Sequence, residues 1–158
     1  MQSNDIPWVT SLENPKFVTY MIVCALLVLK MWWLTVLTVM KRMKHKVVMN
    51  EEDTKVDGFT VGSHSDVERV QRAFQNDLEN IPAFLFIALA YLWVSVPSWV
   101  VHFLYYLFFI ARLGHSIVYA VVPIGPPTRC ICFVIGFFIV TYMSLHVLIA
   151  GIAAYCKN

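Results

Sequence analysis

Two groups of polar residues sit where so apolar a chain tolerates them least. The stretch ERVQRAFQNDLENI, residues 68–81, holds Glu68, Arg69, Arg72, Asn76, Asp77 and Glu79, and runs straight into the uncharged PAFLFIALAYLWVSV. The second group is Arg112, His115 and Tyr119, inside an apolar block, with Arg129 opening the next block. At about 100° per residue, Glu68, Arg72, Asn76 and Glu79 share one arc of a helix, and Arg112, His115 and Tyr119 share an arc of another. One face offers acid, base and amide; the other offers guanidinium, imidazole and phenol. Together they suit a zwitterionic, polyanionic ligand. Arginine grips carboxylates with two parallel bonds. Glu79 suits a ligand ammonium and Asn76 an amide, while His115 and Tyr119 add neutral donors.

The distribution of acids sharpens this. All ten acidic residues lie at or before Glu79, so residues 80–158 contain none. A charge inside a bilayer costs at least a few kcal/mol and normally faces a partner or water. Arg112 therefore needs a carboxylate from the preceding helix, one from another subunit, or an anionic ligand. Pairing with Asp77 or Glu68 is the favoured expectation for Arg112, and with no acid in its own hairpin a homo-oligomer is expected. Arg42, Arg72, Asn76, Glu79, His115, Tyr119 and Arg129 together are expected to form a ligand site, against the competing expectation of a purely structural ion-pair network. Lys30 is expected to snorkel or to lie between helices. His102 and His146 are expected as satisfied bundle residues, and Trp32, Trp33, Trp93 and Trp99 as lipid and interface contacts. The four cysteines, Cys24, Cys130, Cys132 and Cys156, have neither zinc-site nor disulfide-framework spacing. No metal is expected.

These side chains need elements to hold them. Of the 158 residues, 59% are hydrophobic and 14% charged, where a soluble domain has about a quarter charged. The net charge of +2 is too small for a nucleic-acid surface. The apolar residues fall in four blocks, and a span takes about 20 residues as helix. The expected architecture is an all-α integral membrane bundle of four transmembrane helices in a single domain. The spans run over about 17–40, 66–96 (including a cytoplasmic extension), 99–122 and 129–155. Ser65-x-x-Glu68 matches a capping box, Pro82 predicts a kink, and Pro97 ends the second helix. The polar loop 41–65 carries Lys41, Arg42, Lys44, Lys46 and Lys55. This places it on the cytoplasmic side with both termini across the membrane. The first sixteen residues lack a signal-peptide pattern, so the first block is expected to stay as an anchor.

The combined motif resembles the MAPEG family, the membrane-associated proteins of eicosanoid and glutathione metabolism. The stretch Glu68, Arg69, Arg72, Ala73, Asn76, Asp77 and Glu79 is similar to the family's second-helix signature. Arg112, His115 and Tyr119 are similar to its third-helix R-x-x-H-x-x-x-Y, and Lys30, Arg42 and Asn50-Glu51-Glu52-Asp53 to its first helix and loop. The resemblance covers about residues 17–155. It implies a homotrimer with glutathione bound between neighbouring subunits at the cytoplasmic end, and Arg129 beside the glutathione sulfur as the catalytic residue. It implies Arg42, Arg72, Asn76, Glu79, His115, Tyr119, Arg129 and Cys130 as glutathione-binding residues. Arg42 and the second helix would come from one subunit, and the third and fourth helices largely from its neighbour. The expected location is the endoplasmic reticulum membrane, with the mitochondrial outer membrane as a second site.

The expected activity is transfer of glutathione to lipophilic electrophiles, with peroxidase action on lipid hydroperoxides. The alternatives are a glutathione-dependent prostaglandin E synthase and a non-enzymatic lipid-binding scaffold. Several positions depart from the family pattern: Phe74 and Gln75 replace basic residues, Cys130 a serine, Phe133 a tyrosine, and Thr54 a reactive loop cysteine. The loop before Arg129 is also one residue longer. These changes weigh against the synthase more than against transfer. Transfer needs a thiolate, and a thiol of pKa about 8.5 is only a few per cent ionised at neutral pH. Lowering that by one unit takes about 1.4 kcal/mol, which a guanidinium in a partly dry pocket can supply.

Overall fold

The computed structural model describes residues 8–55 and 58–157. Residues 1–7, part of the segment expected to be retained at the N-terminus, lie outside the described residues. Four helices carry the fold: α1 (Pro15–His45), α2 (Ser65–Tyr91), α3 (Ser98–Ser116) and α4 (Thr128–Tyr155). The loop after α1 holds a short 3-10 turn and a parallel pair, β1 (Val47–Val48) and β2 (Thr60–Val61). This two-residue pair lies within the expected polar loop and leaves the architecture all-α. It forms because Lys46 takes a left-handed conformation, φ 52°, at the end of α1 and turns the backbone sharply.

Local chemistry explains the helix ends. Asn14 caps α1 by accepting from the Lys16 amide, and Pro15 occupies the first turn, where its missing N–H costs nothing. At 31 residues, α1 is roughly 46 Å long and outruns the hydrocarbon at both ends. The cap of α2 is His64, whose Nδ1 accepts from the Asp66 amide, so the expected capping box at Ser65 does not form. Ser65 is instead the first helical residue. Pro82 lies inside α2. The helix ends at Tyr91 rather than near Val96, because Leu92, Trp93 and Val94 fold back to the carbonyls of Leu89, Ala90 and Tyr91. The residue before a proline also avoids helix, which keeps Val96 extended. The third helix does not run regularly to 122. It passes into a single π-helical turn at Ile117–Val121, closed by the Val122 amide on the Ile117 carbonyl at 2.9 Å.

α1 packs on α2 and α3, and α4 packs on α3 and α2. Phe84 and Phe108 stack with centroids 3.8 Å apart at the centre, with Tyr105 edge-on to Phe84. Thr19 bonds His102 at 2.7 Å and Tyr91 bonds His146 at 3.0 Å, so both histidines are satisfied inside the bundle as expected. The outer face is apolar. Trp32, Phe86, Trp99, Phe138 and Ile149 are all exposed, as are Trp33 and Trp93, a distribution suited to lipid contact. α1, α3 with its π turn, and α4 are each long and apolar enough to cross a membrane. The chain is thus a multi-pass membrane protein. The first half of α2 is too polar to meet that description.

Candidate active site

One carboxylate organises the interior. Asp77, fully buried on α2, pairs with Lys30 of α1 and with Arg112 of α3. Arg112 Nη2 and Nε donate to Asp77 Oδ1 at 2.7 and 3.2 Å. The Ser116 hydroxyl donates to Oδ2 at 3.4 Å, and Arg112 Nη2 also donates to Asn76 Oδ1 at 2.6 Å. Arg112 is itself fully buried. The expected Arg112–Asp77 pair is present, and it forms within one chain. Arg112 finds its acid on the preceding helix, one of the expected sources, and so by itself gives no reason to require a second subunit. Lys30 lies between helices rather than snorkelling, because a carboxylate is within its reach.

A second cluster begins one turn outward, where α2 meets the π turn. Tyr119 sits in that turn, its ring 5.6 Å from the His115 ring and tilted 36°. The Arg129 guanidinium lies over the Tyr119 ring, 4.8 Å from its centroid. The Tyr119 phenol also interacts with the Arg72 guanidinium. The wider π turn matters here: one extra residue per turn swings Tyr119 toward Arg129 at the start of α4. Arg129 Nε donates to the Ile124 carbonyl at 2.7 Å, which fixes the side chain's direction. Among the described residues no carboxylate lies within ion-pair distance of Arg129. Its charge meets the Ile124 carbonyl and the face of a phenol ring, the latter worth about 0.5–2 kcal/mol. Among the described residues, buried His115 Nδ1 and buried Arg112 Nη1 have no hydrogen-bond partner.

One chain thus brings Arg72, Asn76, His115, Tyr119 and Arg129 to a common region, so α2 and the end of α3 meet without help from a neighbour. The other expected residues lie apart. Arg42, at the end of α1, donates to the Met49 sulfur. It lines grooves with Gln71, Gln75 and Leu78, and none of His115, Tyr119 or Arg129 lines them. Glu79 is exposed and accepts from Gln75 at 3.4 Å. Arg72 also holds Glu68 at 3.3 Å in an exposed helical pair. Cys130 is a free, exposed thiol, and Phe133 stacks on Phe137. Asn76 Oδ1 already accepts from Arg112, and its amide nitrogen is the donor it can offer a ligand. Two features escaped sequence reasoning. The π turn has no residue signature, and the commitment of Asn76 follows from the depth of Arg112 alone.

The arrangement can do two things. It can seat an anion against Arg72 and Arg129, and it can favour the ionised form of an acid placed beside Arg129. A model of the MAPEG family matches residues 20–149. Microsomal glutathione S-transferase 1 of Bos taurus is 34% identical over 146 residues, covering 87% of this chain and 92% of that protein. Prostaglandin E synthase of Bos taurus is 30% identical over 139 residues, covering 86% of this chain and 90% of that protein. The Homo sapiens prostaglandin E synthase is 27% identical over 139 residues, covering 87% and 91%.

Proposed function

The chain belongs to the MAPEG family, and from that premise we propose that it is a membrane-bound glutathione S-transferase acting on lipophilic electrophiles. The observation that carries this is the Arg129 guanidinium, held over Tyr119 at the end of the bundle with no carboxylate among the described residues to neutralise it. Such a cation lowers the cost of a thiolate beside it. The thiolate attacks an electrophilic carbon, a carbon–sulfur bond forms, and the leaving group departs with its electron pair. The thiol proton goes to solvent. Arg72 and the Asn76 amide nitrogen bind the glutathione carboxylates and backbone, with His115 and Tyr119 lining the sulfur end. Arg42 and Glu79 complete the site in the proposed homotrimer, where a neighbouring copy brings them within reach, and Cys130 fills the space beside the sulfur. Glutathione is the cosubstrate, and lipid hydroperoxides are a second substrate class.

The setting follows the same logic. Glutathione is water-soluble and the electrophile partitions into lipid, so the site belongs at the rim between them. In this proposal α2 completes a four-span bundle in the endoplasmic reticulum membrane, loop 41–65 is cytosolic, and both termini face the lumen. Detergent-solubilised protein mixed with glutathione and an aryl halide tests the activity directly. Conjugate formation is expected. Protein that binds no glutathione would leave the non-enzymatic scaffold instead. Native mass spectrometry in mild detergent tests the assembly, and monomers alone would reject the trimer.

A second reading rests on the relatives named prostaglandin E synthase. In that case glutathione assists an endoperoxide isomerisation and is regenerated. Gln75, Cys130 and Phe133 favour transfer. Product analysis with an endoperoxide separates the two, because transfer consumes glutathione and isomerisation does not.

A further inference from the structure

A cluster of metal-ligating side chains lies outside the site described above, at the junction of the loop with its two flanking helices. His45 is the last residue of α1, His64 caps α2, and Asp66 lies in the first turn of α2. The segment between them is drawn shut by Val47 pairing with Thr60 and Val48 with Val61. The two imidazoles stack, centroids 3.5 Å apart and 11° between planes. His45 Nε2 lies 3.2 Å from Asp66 Oδ2. Arg69 Nη1 donates to the other carboxylate oxygen, Oδ1, at 3.2 Å. One ligand atom from each of His45, His64 and Asp66 lies within 4.8 Å of the other two, and all three residues are partly buried.

We propose that His45, His64 and Asp66 form a three-ligand site for a divalent transition metal of the Zn²⁺ type, which clamps the end of α1 to the start of α2. Zinc binds imidazole nitrogen and carboxylate oxygen at about 2.0–2.2 Å. Neighbouring donors around a tetrahedral ion therefore sit roughly 3.3 Å apart, by the same bond lengths. The His45–Asp66 spacing of 3.2 Å already has this value. Arg69 holds Oδ1 and so aims Oδ2 at the ion, the arrangement in which an outer partner orients a ligating carboxylate.

His64 must move. Stacked rings send their lone pairs out in parallel, and His64 Nδ1 is engaged with the Asp66 amide at 3.2 Å. Tilting the His64 ring exchanges one neutral cap bond for a metal–nitrogen bond and brings the three donors to a common point. Two imidazoles and one carboxylate leave a fourth position for water, so the ion is exchangeable. Lys41 and Arg69 place positive charge near Asp66, which keeps the affinity below that of a closed structural site. The ion would restrain the loop whose first residues follow Arg42.

The test uses full-length protein in detergent, without a polyhistidine tag and with thiols alkylated, titrated with Zn²⁺ against a chromogenic chelator. Wild-type protein is expected to bind one Zn²⁺ per chain. His45→Gln should weaken this by at least the roughly tenfold that loss of even an outer partner costs. His64→Asn should do the same while keeping a good cap, which separates ligation from helix capping. His146→Gln should bind as wild type does. Hydrogen exchange across residues 45–66 should slow on adding Zn²⁺ to wild type and not to His64→Asn. Failure of the wild type to take up Zn²⁺, or equal uptake by the His45→Gln, His64→Asn double variant, overturns the proposal and leaves a His45–Asp66 ion pair only.

Discussion

Arg112 and Arg129 are both arginines on or beside membrane-spanning helices, and they meet opposite fates. Arg112 is buried against Asp77, with Lys30 on the other side of the same carboxylate. Arg129 lies over a phenol ring with no carboxylate in reach among the described residues. Desolvating a charge is costly wherever it happens, and a buried pair recovers most of that cost. The inner cluster is therefore neutralised at Asp77, which joins α1, α2 and α3, while Arg112 Nη1 keeps no partner among the described residues. In the outer cluster Arg72 pairs with Glu68, and Arg129 is left without a carboxylate among the described residues. The residue type does not decide the role. The presence or absence of a carboxylate does, and Asp77 is the last carboxylate but one in the chain.

The largest expected effect lies in the inner cluster. Asp77→Asn leaves Lys30 and Arg112 buried together with no anion between them, which should cost about 3–5 kcal/mol of stability. Thermal unfolding in detergent measures this, and an unchanged midpoint would break the distinction between the clusters. In the outer cluster the fold should survive substitution. Arg129→Leu should lower turnover by a factor on the order of 10², as for loss of one preorganised electrostatic group, while glutathione affinity changes far less. A variant that unfolds as Asp77→Asn does would show that Arg129 is structural too.

Smaller effects sharpen the division. Glu79 is exposed and accepts a hydrogen bond from Gln75. If it holds the ligand ammonium, Glu79→Gln should weaken glutathione binding by about 1.5–3 kcal/mol, typical of a charge-assisted bond, with stability unchanged. Equal affinity by calorimetry would remove it from the site. Tyr119→Phe keeps the ring under Arg129 and loses only the hydroxyl. Its expected cost is about 0.5–1.5 kcal/mol, a roughly 2- to 13-fold fall in turnover. A loss as large as that of Arg129→Leu would move the ionising role to the phenol.

Much of this was legible in the sequence where the reasoning was charge accounting. With no acid after Glu79, Arg112 had few possible partners, and Asp77 was named among them. The satisfied state of His102 and His146 followed from their apolar surroundings. What stayed hidden depended on backbone geometry that no residue type announces. The π turn at Ile117–Val121 re-aims Tyr119, and a regular helical arc does not contain it. His64 displaced Ser65 as the cap because the folded loop stacks it on His45, a contact between residues far apart in sequence. A place between helices was one of the two expectations for Lys30, but its pairing with Asp77 was not foreseen, because the sequence does not show which residue of the facing helix it meets. The grouping of Arg72, Asn76, His115, Tyr119 and Arg129 was expected. Arg42 and Glu79 are the two members that a single chain leaves outside it.

The central claim is that the charge of Arg129 exists to ionise a thiol. Its most direct test is the ultraviolet absorbance of the thiolate of bound glutathione, titrated across pH in wild-type protein and in Arg129→Leu. The account predicts a bound thiol at least about one unit below the ordinary value of roughly 8.5 in the wild type, returning to that value in the variant. The same unshifted titration in both proteins, with turnover retained in the variant, would contradict it.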